Sequence, residues 1–74
     1  MHDAADPFLL PLEGYVVRRV PAVRADKPYT CPACGNPIGA GEGHVVAWPE
    51  EEVELRRHWH HHCWRIAARR GRIA

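Results

Sequence analysis

Cys31-Pro32-Ala33-Cys34-Gly35 and, further on, His60-His61-His62-Cys63 together read C-x2-C-x25-H-x2-C. Two close pairs of ligand residues, separated by enough chain for a small hairpin, are the sequence form of a structural zinc site. All three cysteines of the chain lie in this pattern. Zn²⁺ takes four ligands tetrahedrally, and a closed set of Cys31, Cys34, His60 and Cys63 leaves no open position for water. The metal is therefore expected to hold the fold rather than perform chemistry. His60 fits the H-x2-C spacing, and His58, which would share a strand face with it, is its rival. His61 and His62 read as solvent-facing residues of a first helical turn. If His60 binds the ion, its second ring nitrogen needs a partner, which a backbone carbonyl or a carboxylate such as Glu42 would supply.

On the N-terminal side of the knuckle, Tyr15-Val16-Val17-Arg18-Arg19-Val20 is rich in β-branched and aromatic residues and is closed by Pro21, which predicts a short strand. Residues 21–28 read as a connector. The first 13 residues contain a short apolar patch, Phe8-Leu9-Leu10, without sustained period, and read either as a flexible arm or as a segment docked on the domain. A single zinc-binding domain is expected over residues 14–74. On the C-terminal side, Gly39, Gly41 and Gly43 lead into a strand at His44-Val45-Val46-Ala47-Trp48. Pro49 to Glu52 read as a polar hairpin loop, and residues 53–59 as the returning strand, apolar and charged in alternation at its start. From about His61 to Arg70 the period turns helical, with Trp64, Ala67 and Ala68 as an apolar stripe and Gly71 as a stop.

The predicted order is strand, zinc knuckle, β-hairpin, C-terminal helix, which makes a small zinc-stabilised α+β domain. Residues three apart lie on one face of a helix, so His60 and Cys63 can face one ion while the knuckle presents Cys31 and Cys34 from the other side. The helix dipole favours a thiolate in its first turn. This order and spacing, over about residues 29–70, resemble the treble-clef zinc finger. More narrowly, Tyr29 to Gly35, His44 to Pro49, Arg56-Arg57-His58-Trp59-His60 and Cys63-Trp64 resemble a group of short actinobacterial proteins of unassigned function.

A chain of 74 residues holds at most one domain, and at that size a core rarely supplies more than about 3–5 kcal/mol. An apparent zinc-binding free energy of roughly 10–16 kcal/mol would exceed it, so the metal-free chain is expected to unfold. An odd cysteine count speaks against a disulfide framework. Neither a long apolar run nor a basic-then-apolar leader is present, so no membrane span is expected and the reading is a cytoplasmic protein. Three thiolates and one Zn²⁺ bring the formal charge of +1 to zero, so only the distribution of charge can point to a partner.

Nine arginines face one lysine. Arg65, Arg69 and Arg72 recur at i, i+4 and i+7 on the predicted helix, with Arg70 beside them, and Arg56 and Arg57 sit on the returning strand. Guanidinium forks suit phosphate, so RNA or DNA is the expected partner of a binding module. The competing reading is a protein-interaction adaptor using Trp48, the Val45 to Trp48 strand edge and the N-terminal apolar patch. No enzyme is expected: the chain has no serine, its histidine cluster contains no carboxylate, and H-E-x-x-H is absent. A nucleotide cofactor is not expected either, because no phosphate loop is present and the glycines precede a strand. His44 and His58 are expected to face each other across the hairpin as a packing pair, and Trp59 and Trp64 to build the core.

Overall fold

The structure is a computed structural model, and it describes residues 9–71. Phe8 and Arg72, two residues of interest in the sequence, lie outside that range.

Among the described residues five strands and one α-helix follow one another: β1 (Tyr15–Val20), β2 (Tyr29–Thr30), β3 (Pro37–Ile38), β4 (His44–Pro49), β5 (Arg57–Trp59) and α1 (His61–Arg70). β1, β4 and β5 form an antiparallel sheet in that spatial order, and β2 and β3 pair separately as the legs of the cysteine knuckle. Val17 stands opposite Ala47, and Val45 and Ala47 stand opposite Trp59 and Arg57. Since side chains alternate along a strand, Val45, Ala47, Val17 and Trp59 share one face of the sheet.

α1 covers that face. Trp64, Ala67 and Ala68 are its buried residues, and they join Cys31, Ile38, Val45, Ala47 and Trp59 in one hydrophobic cluster. Trp59 and Trp64 meet edge to face, with ring centroids 5.4 Å apart and planes at 72°, an arrangement worth about 0.5–1.5 kcal/mol beyond the area it buries. Leu9, Leu10 and Leu12 pack against the same cluster, and the Trp64 indole N–H donates to the Leu10 carbonyl at 2.9 Å. The docked reading therefore describes Leu9 to Leu12. The helix ends as expected: Gly71 adopts φ 70° and its N–H reaches the carbonyls of Ala67 and Ala68, a left-handed cap that a Cβ would strain.

Two expectations change. The returning strand begins only at Arg57, because residues 49–56 close successive turns, Glu52 N–H to Pro49 O, Leu55 N–H to Glu52 O and Arg56 N–H to Val53 O. Val53 and Leu55 consequently remain about half exposed. The Val45 to Trp48 segment is no sheet edge: β4 is the middle strand, hydrogen-bonded on both sides. Trp48, a contact residue of the adaptor reading, is half-buried.

Candidate metal centre

The knuckle is built by local backbone hydrogen bonds. Cys31 N–H donates to Asn36 O at 3.0 Å and Gly35 N–H to Cys31 O at 2.8 Å, with Gly35 at φ 75° turning the chain between them. β2 and β3 hold this loop open-ended toward α1. From the other side His60 occupies the N-cap of α1 and Cys63 lies one turn in. The result is a cluster of Cys31, Cys34, His60 and Cys63 whose ligand atoms all lie within 4.8 Å of one another. Cys31 is fully buried and Cys34 is exposed. His58, the rival fourth ligand, stands outside the cluster.

The separations suit one tetrahedral ion. Zn–S bonds of about 2.3 Å and a Zn–N bond of about 2.0 Å imply N···S edges of roughly 3.5 Å. Cys34 Sγ lies 3.5 Å from His60 Nδ1 and Cys63 Sγ lies 3.9 Å from it. The other ring nitrogen, His60 Nε2, lies 3.2 Å from the Pro37 carbonyl oxygen. A carbonyl only accepts, so Nε2 carries the proton and Nδ1 turns a lone pair toward the three sulfurs. Of the two partners considered for His60, the backbone carbonyl is thus the one used. The Glu42 carboxylate instead accepts the Gly39 N–H at 2.9 Å.

The thiols respond unequally to this packing. Burial would raise the Cys31 pKa, but the backbone N–H groups of His60, Cys34 and Ala33 outweigh it and bring the thiol down to about 6. Cys63 is pushed up to about 12, first by burial and then by the neighbouring Cys31 and Cys34 sulfurs. Without a cation, burial and the neighbouring sulfurs disfavour a thiolate at Cys63. A divalent ion removes that conflict by ionising its thiol ligands outright.

A profile of the Rv1322 family protein matches residues 11–65, most of the chain and all four cluster residues. The chain belongs to the Rv1322 family. It is 49% identical over 61 residues to the uncharacterized protein Rv1322 of Mycobacterium tuberculosis, a match covering 77% of this chain and 62% of the relative. The uncharacterized protein Mb1356 of Mycobacterium bovis matches with the same identity and the same coverage. The chain therefore spans about 62% of the length of these relatives. No solved structure matches.

Beside the cluster, on the opposite face of the sheet, His44 is fully buried. His44 Nδ1 lies 2.9 Å from the Glu42 carbonyl oxygen, and His44 Nε2 lies 2.8 Å from His58 Nδ1. The two histidines do face each other across the hairpin, and they are joined by a hydrogen bond. Tyr29 stacks on His58 with centroids 3.5 Å apart and planes at 6°, a contact that sequence reading missed because β2 is too short to show a period. Burial, then the charges of His44 and Arg56, pushes the His58 pKa down to about 4.

The arginines divide between surfaces. Arg65 is half-buried, while Arg56, Arg57, Arg69 and Arg70 are exposed. Arg57 and Arg70, from β5 and the end of α1, line one cleft beside Cys34 and Cys63. Arg56 and Arg57 line another with Tyr29, Thr30 and His58. No helix among the described residues is long and apolar enough to cross a membrane.

Proposed function

We propose that this chain is a structural zinc module of treble-clef type, without catalytic activity, that binds nucleic acid through its arginine side chains. The observation that carries the zinc reading is the Cys31, Cys34, His60, Cys63 cluster, with His60 Nε2 already satisfied by Pro37 and Nδ1 left for a metal. All four ligands come from protein, so the site is closed and its contribution is to stability. Nucleic acid is favoured by the exposed Arg56, Arg57, Arg69 and Arg70, with Arg65 beside them on α1 and Arg72 following. Arg56, Arg57, Arg65, Arg69 and Arg70 have no carboxylate partner among the described residues. Guanidinium groups without a carboxylate partner are available to phosphates.

Two measurements test this reading. Native mass spectrometry is expected to show one Zn²⁺ per chain, and Cys34→Ala to weaken zinc binding by more than the roughly 10–100-fold that loss of a mere outer partner costs. Fluorescence anisotropy with mixed-sequence oligonucleotides is expected to show binding that falls steeply with salt. Gln in place of Arg65, Arg69 and Arg70 should reduce the salt slope by about 0.7 for each lost contact on single strands. Full zinc affinity in Cys34→Ala would refute the metal assignment. Salt-insensitive binding, or none at low ionic strength, would refute the nucleic-acid reading.

A further inference from the structure

We infer that the cleft between Tyr29, Thr30, Arg56, Arg57 and His58 is a ribose-phosphate subsite that prefers RNA to DNA by accepting a hydrogen bond from the 2′-hydroxyl. The inference rests on the nucleic-acid reading and deepens it.

With both rings neutral, a chain of hydrogen bonds fixes which nitrogen of each histidine donates. The Glu42 carbonyl can only accept, so His44 Nδ1, 2.9 Å away, carries a proton and donates. Neutral His44 then has a lone pair on Nε2, and His58 Nδ1, 2.8 Å from it, must be the donor. A neutral His58 is left with its lone pair on Nε2. That atom has no protein partner among the described residues, and it is not among the buried polar atoms. Tyr29, stacked at 3.5 Å, holds the ring plane in place. His44, fully buried, prevents the ring from reversing its hydrogen-bonding sense. The fold thus presents a fixed hydrogen-bond acceptor at a surface cleft.

Beside it Arg56 and Arg57 only donate, and the Thr30 and Tyr29 hydroxyls can do either. The cleft, of about 380 Å³, is lined by Tyr29, Thr30, Pro32, Arg56, Arg57 and His58, a volume in the range of roughly 300–1,000 Å³ typical of ligand clefts. It has no acidic side chain. Arg56 is anchored by a 3.3 Å hydrogen bond to the Val53 carbonyl, and its charge acts on His58. The complementary ligand carries an anion for the guanidinium groups and, beside it, one hydroxyl donor for His58 Nε2. A phosphodiester next to a 2′-hydroxyl has both. A deoxyribose strand keeps the phosphate and loses the donor, and this is the group by which proteins tell RNA from DNA.

The test uses the zinc-loaded full chain and three single-stranded oligonucleotides of one sequence: RNA, DNA, and 2′-fluoro RNA, which keeps the ribose pucker but has no donor. One hydrogen bond is worth about 0.5–1.5 kcal/mol, so RNA is expected to bind about 2–12-fold more tightly than either of the others. His58→Phe, which retains the stack on Tyr29, should erase the preference while leaving DNA affinity within about twofold. Arg56→Gln should weaken all three strands alike. Equal affinity of the native protein for RNA and 2′-fluoro RNA overturns the inference but leaves the nucleic-acid reading standing. Absence of binding to all three overturns both. The comparison on the native protein decides the matter even if His58→Phe does not fold.

Discussion

His58 sits between a buried histidine and an arginine, and this position makes it a poor base. Its pKa lies near 4 in the fold against an ordinary 6.5, through burial and the charges of His44 and Arg56. As pH falls below 6.5 the unfolded chain takes up a proton that the folded chain refuses. The stability contributed by neutral His58 is thus complete above pH 6.5 and is lost progressively toward pH 4. Thiolate protonation adds a second acid-sensitive term in the same chain, so the informative quantity is a difference. Urea unfolding of the zinc-loaded protein across this range is expected to show a steeper loss of stability for the native chain than for His58→Phe. Equal slopes would mean that His58 is protonated as readily in the fold as outside it. Three residues of the metal cluster and their spacing were legible as residues, because ligand chemistry demands particular side chains. His60 was read from the H-x2-C spacing as the fourth, and what the sequence left open was the rival His58, whose ring is taken by His44.

Helix α1 carries the most information per residue of any element. Its first turn presents Cys63 to the cluster, its buried stripe closes the core, and Gly71 ends it at φ 70°. A Cβ at Gly71 meets no atom within 4 Å, so the cost of Gly71→Ala is purely conformational. It is expected to be about 1 kcal/mol. Chemical denaturation should show that loss with the zinc stoichiometry unchanged. A neutral effect would mean that the chain beyond residue 70 is free to leave the cap. β1 and α1 could be read from sequence because each shows enough residues for a period. β2 and β3, of two residues each, could not: their pairing is set by the knuckle between them. Val53, Glu54 and Leu55 alternate as a strand would, yet they form a tight helical turn, because the chain has to descend from the end of β4 before pairing as β5.

At the scale of the molecule, the core is small. Its fully buried large side chains are few, Trp64 and Ile38 first among them, and Cys31 and Cys63 belong to the core or pack on it. The metal cluster and the hydrophobic cluster are therefore one structure, sharing the seam between the knuckle, β5 and α1. Without a cation the cluster consists of an imidazole and three crowded thiols, one of them pushed up to about 12, where the core needs close packing. Circular dichroism in the presence of a strong chelator is expected to show cooperative loss of the helix and the sheet, since a zinc contribution of roughly 10–16 kcal/mol exceeds what a core of this size supplies. Unchanged spectra would assign the fold to its tryptophans and leucines alone. The central claim is that one closed Cys3His zinc site organises the fold, and zinc-edge X-ray absorption of the purified protein tests it most directly. The account predicts one zinc per chain with three sulfur neighbours at about 2.3 Å and one nitrogen at about 2.0 Å. A shell with two nitrogens, a water oxygen in place of a ligand, or a folded protein without zinc would contradict it.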